Sequence, residues 1–172
     1  MYQVAPTLET DRLVLRPHRF EDFQPLADLF ATERSRYMDG PLRPADVWRN
    51  FMCDVGQWAV LGYGAWAIEL KATGTYIGQV GLNRPYHFPE DELGWLLFDG
   101  HEGHGYAFEA AKRARDFGFT ELGLGTLVSY VDPENARSTA LAERLGGMRD
   151  PAAKRPENDP CIVFRHPRPD LV

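Results

Sequence analysis

The fold is decided by residues 93–110, which read Leu93-Gly94-Trp95-Leu96-Leu97-Phe98, then Asp99-Gly100-His101-Glu102-Gly103-His104-Gly105, then Tyr106-Ala107-Phe108-Glu109-Ala110. The first six residues are almost all apolar, which predicts a central strand covered on both faces. The last part opens a segment that places Ala107, Ala110, Ala111, Ala114 and Phe117 on one helical face and ends near Phe119. The stretch therefore predicts a strand, a glycine loop and a helix that lies close to a sheet.

The glycine loop is the strongest chemical signal in the chain. In Gly100-x-x-Gly103-x-Gly105 the glycines allow positive φ and close approach of a ligand. The helix that follows presents unpaired N–H groups and the positive end of its dipole. Such a loop binds an anion, and a pyrophosphate is the natural guest. The structural alternative is a glycine-rich turn before a helix of small residues.

Two nucleotide motifs and one metal motif do not fit this loop. A dinucleotide fingerprint reads G-x-G-x-x-G and usually lies in the first βαβ unit, whereas this loop has the wide spacing first and lies in mid-chain. The Gly-Lys-Ser/Thr of a Walker loop is absent from the sequence. His101 and His104 are three residues apart, not the four of HExxH, so we predict no metal site. A nucleotide-binding protein that uses the loop for another phosphate stays open.

Length and composition predict a single domain spanning residues 1–172. Hydrophobic residues make up 44% and charged residues 26% of the chain, which is typical of a globular protein. The 19 Lys+Arg against 25 Asp+Glu give a net charge of −6, which argues against nucleic acid as a partner. No apolar run is long enough to cross a bilayer, and residues 1–10 lack an export pattern. We therefore expect a cytoplasmic protein without a membrane partner.

Periodicity along the chain predicts a mixed α/β sheet. Strands are expected at residues 13–15, 64–70, 76–82, 93–98, 126–131 and 161–165, and helices at residues 21–32, 44–57 and 107–119. A last helix is expected to begin at Asp132-Pro133, with a side-chain cap and a proline in the first turn, and to end at Gly146-Gly147. The fold class is thus α/β, with a mostly antiparallel sheet flanked by about four helices.

Four stretches together resemble one protein family. They are 93–97, 103–110, Val131-Asp132-Pro133-Glu134-Asn135-Ala136-Arg137-Ser138 and the opening Leu8-Glu9-Thr10-Asp11-Arg12-Leu13-Val14-Leu15-Arg16-Pro17. They are similar, in the right order, to the GNAT superfamily of N-acetyltransferases and in particular to its RimJ/RimL-like branch. The match runs from about Thr7 to Gly147.

The resemblance implies the GNAT-like acyl-CoA N-acyltransferase fold and transfer of an acetyl group from acetyl-CoA to a primary amine by direct attack in a ternary complex. The acceptor is a protein N-terminus or a small-molecule amine. The residues implied in CoA binding are Leu96, Leu97, Phe98, Gly100, His101, Glu102, Gly103, His104, Gly105, Tyr106, Ala107, Asn135, Arg137 and Ser138. Gly100 and Glu102 depart from the family pattern, which has Gln or Arg and a basic residue there. The alternative is a catalytically silent acyl-CoA-binding or regulatory module of the same fold.

Acetyl transfer to a neutral amine needs a proton acceptor and a donor for the leaving thiolate. Glu92, just before the central strand, is the first choice for the base, with an ordinary solvated carboxylate as the alternative. By the resemblance, Ser138 protonates or hydrogen-bonds the thiolate and Asn135 contacts CoA, while capping of a helix explains the same pair structurally. Tyr130 is the alternative acid.

The acceptor side is less sharply defined by the sequence. The loop 83–91 is expected to form part of its rim, and the aromatic residues Trp48, Phe51, Trp58, Trp66 and Trp95 are either pocket or core. The cluster Glu90-Asp91-Glu92 predicts a negatively charged entrance that favours cationic amines. Monomer and homodimer are both expected states.

Overall fold

The computed structural model describes residues 4–169, so the ends of the predicted domain, residues 1–3 and 170–172, lie outside the described residues. The strands are β1 Leu8–Glu9, β2 Leu13–Arg16, β3 Ala65–Leu70, β4 Tyr76–Asn83, β5 Glu92–Leu97, β6 Val128–Val131, β7 Met148–Arg149 and β8 Ile162–Arg165. The helices are α1 Phe23–Phe30, α2 Pro44–Leu61, α3 Tyr106–Thr120 and α4 Ala136–Arg144, and 3-10 turns lie at Phe20–Asp22 and Glu33–Met38.

One mixed sheet holds the described strands in the order β1-β2-β3-β4-β5-β6-β8-β7. Strands β5 and β6 are parallel, and the other neighbours are antiparallel. The predicted fold class, a mostly antiparallel sheet with about four helices, is confirmed.

The two faces of the sheet are covered by different helices. On one face, α3 buries Ala110, Ala111 and Ala114 against Trp66 and Leu93, all fully inaccessible. The alanine methyl groups bring the helix close to the sheet, as the sequence predicts. On the other face, α1 and α2 bury a second core of Leu26, Ala27, Val47 and Phe51, against which Leu96 and Phe98 pack.

The start of the last helix was predicted wrongly. Helix α4 begins at Ala136, and Asn135 caps it by accepting a hydrogen bond from the Ser138 N–H at 3.1 Å. The Asp132 carboxylate instead accepts from the Glu134 N–H at 2.8 Å and holds a turn before the helix. Asp132 and Asn135 are both good capping residues three positions apart, and the sequence does not say which one begins the helix.

The ends of several other elements also differ from expectation. Helix α2 runs on to Leu61 and ends at Gly62, whose φ of 81° closes the helix in the left-handed region. The two-residue strands β1 and β7 were not predicted, because so short a segment carries no periodicity. Among residues 4–169 no helix is long and apolar enough to span a membrane.

Candidate active site

The parallel strands β5 and β6 meet at one point and then separate. In the described chain they share the single register pair Glu92 and Val128, next to a backbone hydrogen bond from the Val128 N–H to the Asp91 carbonyl at 3.0 Å. Beyond this point the β6 side of β5 carries no ladder partner. Strand β5 is therefore half-buried from Gly94 to Leu97. Its two faces are covered as predicted, by α3 on one side and by α1 and α2 on the other, and only its edge toward β6 is open.

A buried serine sits in the angle of this fork. The Ser129 hydroxyl donates to the Leu93 carbonyl at 2.6 Å and lies 2.8 Å from His166 Nε2. Since the hydroxyl has one proton, which it gives to Leu93, the imidazole must donate from Nε2. Burial lowers the pKa of His166 to about 4, and the Arg115 guanidinium acts in the same direction. The hydrogen-bonded pair of Ser129 and His166 is therefore uncharged at neutral pH.

The glycine loop leads from the end of β5 to the start of α3. Gly100, Gly103 and Gly105 have φ of 82°, 80° and 80°, the left-handed region that glycine enters most readily. A Cβ added at Gly100 or Gly103 would meet no atom of the described chain within 4 Å, so the space over the loop is open. Gly105 is the N-cap of α3, and the first N–H groups of that helix have no intrahelical partner. The loop can bind an anion through its backbone.

Arg12, to which the sequence assigned no role, braces this loop. Its Nη1 donates to the His104 carbonyl at 3.0 Å, and its Nε donates to Glu109 at 2.7 Å. Its guanidinium carbon also lies 4.7 Å from the centre of the Tyr106 ring. Arg12 stands in the stretch that carries the family resemblance, and it connects the start of β2 to the first turn of α3.

The carboxylate of Glu102, which departs from the family pattern, is paired with arginines. Arg34 forms an ion pair with it, and the Arg137 Nη1 lies 3.9 Å away. Burial by itself raises the pKa of Glu102, but the hydrogen bond from Arg34 and the charges of both arginines outweigh it and lower that pKa. Arg34 also pairs with Asp99 at 3.0 Å. Two cations therefore stand beside the negative charge of the loop.

Glu92 lies at the base of the fork, where β4, β5 and β6 come together. Asn83 Nδ2 donates to its carboxylate at 3.4 Å. Burial raises the pKa of Glu92 to about 7, and the charge of Asp54 adds to the rise, while hydrogen bonds from Asn83 and from the Tyr130 backbone oppose it. A carboxyl group with this pKa can accept a proton near neutral pH.

The negatively charged entrance predicted from Glu90-Asp91-Glu92 was wrong. Arg165 holds Glu90 with two hydrogen bonds, at 2.7 and 2.9 Å. The Asp91 carboxylate accepts from the Tyr63 hydroxyl at 2.6 Å and pairs with Arg84 at 3.4 Å. Of the three carboxylates, only Glu92 has no arginine or lysine partner in the described part of the chain.

The two predicted proton donors lie on opposite sides of the strand. The Ser138 hydroxyl accepts from Trp95 Nε1 at 3.3 Å, and side chains alternate along β5, so Ser138 lies across the strand from Glu92. The Tyr130 hydroxyl accepts from the Glu90 N–H at 3.2 Å, on the same face as Glu92. Burial raises the pKa of Tyr130 to about 12, so it stays protonated.

The remaining predicted residues divide between loop, core and surface. His101 and Ala107 are half-buried beside the loop, Gly103 and His104 are exposed, and the Leu97 side chain turns toward the core under α3. Trp58 and Trp66 are buried with ring centres 4.7 Å apart, so they belong to the core and do not line a pocket. Among residues 4–169 no group of three or more His, Cys, Asp or Glu side chains could hold a metal ion.

The comparisons with known proteins agree with this geometry. A family model described as the acetyltransferase (GNAT) domain matches residues 12–148. The chain belongs to this family. It is therefore an acetyltransferase, and its family transfers the acetyl group from acetyl-CoA.

Similar proteins come from several bacteria. A solved acetyltransferase from Agrobacterium tumefaciens is 47% identical, with a TM-score of 0.92 over 98% of each chain. The uncharacterized N-acetyltransferase p20 of Bacillus licheniformis is 30% identical over 84% of this chain and 83% of its own length. The uncharacterized protein YkkB of Bacillus subtilis is 36% identical over 108 residues, which are 60% of this chain and 62% of that protein.

Proposed function

We propose that the protein acetylates a primary amine by direct attack on the thioester of acetyl-CoA in a ternary complex. The observation that carries this proposal is the fork between β5 and β6, which has the anion-binding loop at its open end and Glu92 at its base. One continuous surface thus offers backbone partners for a long thioester, amide groups for a pyrophosphate and a proton acceptor for an amine.

The described residues fit acetyl-CoA. In this proposal the N–H groups of Gly103, Gly105 and Tyr106 bind the pyrophosphate, as helix starts do for anions. The unpaired edge of β5 at Leu96 and Leu97, together with Phe98 directly after the strand, pairs with the amide-containing arm. Gly100, His101 and His104 belong to the same loop, Ala107 lies in the first turn of α3, and Asn135, Arg137 and Ser138 approach from the start of α4. Arg34 and Arg137 offset the carboxylate of Glu102 beside the phosphates.

When bound, acetyl-CoA supplies the activated acetyl group. Glu92 takes the proton that the attacking amine must lose, either directly or through water. Its raised pKa makes it a better base than an exposed carboxylate, and it is mostly ionised above about pH 7. Ser138, across the strand, donates to the leaving sulfur, with Tyr130 as the alternative donor on the Glu92 side. In each turnover one proton passes from the amine to Glu92 and one passes from Ser138 or Tyr130 to the sulfur, so the number of protons on the enzyme does not change.

The silent acyl-CoA-binding module is the less favoured function. It rested on Gly100 and Glu102, and the arginines beside Glu102 remove the electrostatic part of that argument. The acceptor is a protein N-terminus or a small-molecule amine, as in the RimJ/RimL-like branch. The proposal includes a cytoplasmic location and a monomer or homodimer, and the net charge of −6 supports the absence of nucleic acid as a partner.

Ligand binding and turnover test the proposal separately. Thermal unfolding is followed with acetyl-CoA, CoA, NAD and ATP, since a ligand at 100 times its Kd adds about 2.7 kcal/mol of stability. Acetyl-CoA and CoA are expected to stabilise the protein, and NAD and ATP are not. Thiol release is then measured over a panel of primary amines. Stabilisation by acetyl-CoA with no release for any amine would favour the silent module.

A further inference from the structure

A strip without large side chains runs along β4 on the face under α2. Gln79, Gly81 and Asn83 alternate onto this face. Their partners are Ala67 and Ala65 on β3, and Leu96, Gly94 and Glu92 on β5. The row at Gly81 therefore has only two glycines and one alanine methyl group, with Leu96 beside Gln79 at one end of the strip and Glu92 beside Asn83 at the other.

Polar side chains from three elements surround this strip. Asp54 of α2 accepts a hydrogen bond from Gln79 Nε2 at 2.8 Å, and Asn83 Nδ2 donates to Glu92 at 3.4 Å. These bonds fix the orientation of both amides, because a flipped amide would turn its oxygen toward a carboxylate. The two amide oxygens, Gln79 Oε1 and Asn83 Oδ1, are left without a hydrogen-bond donor among residues 4–169.

More unsatisfied groups lie at the Asp54 end. The Tyr76 hydroxyl and His18 Nε2 are buried and have no hydrogen-bond partner in the described chain. The His18 ring is fully covered and packs edge-on against Tyr76 and Phe51. A buried polar group without a partner destabilises the folded protein, so a cluster of such groups indicates a ligand that supplies the partners.

The polar groups that face this strip are complementary to a cation. Two carboxylates and two amide oxygens all accept hydrogen bonds, while the amide donors are already used within the protein. No lysine or arginine forms an ion pair with Asp54 or Glu92 in the part of the chain that the structure describes. Burial raises the pKa of Asp54 to about 6, opposed by the Gln79 hydrogen bond and by the charge of His18, and a bound cation would further favour the charged form of Asp54.

We infer that the cluster of Asp54, Gln79, Tyr76 and His18 binds a second ammonium group of the acceptor, while the reacting amine lies at Glu92. This inference rests on the proposed function. Gln79 and Asn83, the two ends of the strip, are ~13 Å apart along β4. The Asn83 side chain folds back over Gly81, which lies ~7 Å from Gln79. The shorter of these distances sets the length of the spacer between the two nitrogens. The acceptor class is thus a diamine, or a larger polyamine, with a short aliphatic spacer.

The test compares 1,4-diaminobutane with 1-aminopentane, which has the same length and a methyl group in place of the second ammonium. Rates are measured at about pH 8.5, where both carboxyl groups are ionised. For the wild-type protein we expect kcat/KM to be at least about tenfold higher for the diamine. Asp54→Asn should remove this preference by raising KM for the diamine, and any change in kcat that follows from the loss of the Asp54 charge near Glu92 should be the same for both amines.

The control is Asp46→Asn, which removes an acid of the same helix that pairs with Arg43 and Arg49 instead. It should leave the preference for the diamine intact. Equal kcat/KM for the two amines, or an equal loss for both in Asp54→Asn, would overturn the inference and leave amine acetylation standing. Calorimetric titration of 1,4-diaminobutane into the CoA-saturated protein tests the ammonium site separately from amine acetylation. Binding that is lost in Asp54→Asn, without turnover of any amine, would support the subsite and contradict the proposed function.

Discussion

Glu102 illustrates how the charge of one residue depends on partners far away in the sequence. It places a carboxylate in a loop that suits phosphate, and Arg34 and Arg137 stand beside it. Arg34→Ala leaves that carboxylate poorly compensated, so we expect the Kd for acetyl-CoA to rise about tenfold. Adding Glu102→Gln in the same chain should restore most of the affinity. Isothermal titration measures all three proteins.

The matched control for Arg34 is Arg43→Ala, because Arg43 is an exposed arginine that precedes α2 and pairs with Asp46 in the first turn of that helix. It should leave the Kd for acetyl-CoA unchanged. If Arg34→Ala binds acetyl-CoA as tightly as the wild type, the arginine serves the loop structure alone and the electrostatic account of Glu102 is wrong.

At the scale of elements, the fork depends on Ser129. Ser129→Ala leaves the Leu93 carbonyl and the His166 Nε2–H without their partner, which should cost about 1–3 kcal/mol of stability. The separation of β5 from β6 would also change, so we expect a higher KM for acetyl-CoA with the amine KM unaffected. Urea unfolding and steady-state kinetics check both parts. Thr120→Ala, which removes a hydroxyl that donates to the Asp116 carbonyl within α3, should change neither the stability nor the KM for acetyl-CoA by comparable amounts.

Substitutions at Gly105, the N-cap of α3, test whether this helix start binds a phosphate. Gly105→Asp and Gly105→Asn introduce side chains of nearly equal size at a φ of 80°, and they differ in charge. If the loop binds a pyrophosphate, the aspartate variant should bind CoA at least about tenfold more weakly than the asparagine variant. Gly74→Asp, at a left-handed position in the distant β3–β4 hairpin, controls for backbone strain. Equal affinities for the two Gly105 variants would remove the loop from the phosphate site.

Over the whole molecule, the buried acids couple stability to pH. Burial raises the pKa of Asp54 to about 6 and of Glu92 to about 7, so the folded chain holds protons that the unfolded chain releases near pH 4. Their contribution to stability is therefore complete below pH 4 and falls as the pH rises to about 7. Glu92→Gln should raise the free energy of unfolding at pH 8, by on the order of 1–3 kcal/mol, and change it little at pH 4. Urea unfolding at both pH values tests this, and a variant that is no more stable at pH 8 would contradict it.

The order of the elements could be predicted because it rests on local patterns. The glycine spacing and the alanine face of α3 fixed the loop and its helix, and alternation predicted the hairpin of β3 and β4. The pairings that shape the site join residues far apart in the sequence, such as Arg165 with Glu90 and Gln79 with Asp54. No periodicity reports such contacts, so the predicted negative entrance failed and the Asp54 cluster was not foreseen.

Glu92 is the base of the proposed reaction, and its pKa reflects the packing of α2, β4, β5 and β6 around one carboxyl group. The most direct test is the pH dependence of kcat/KM for Glu92→Gln and wild type, with the Kd for acetyl-CoA measured alongside. Below its pKa the carboxyl is protonated and cannot accept the amine proton, so wild-type kcat/KM should fall as the pH drops below about 7. The variant should lose about 10²- to 10⁴-fold in kcat/KM, lack this acidic limb and bind acetyl-CoA normally. A loss below about threefold with the limb unchanged would show that Glu92 is not the base.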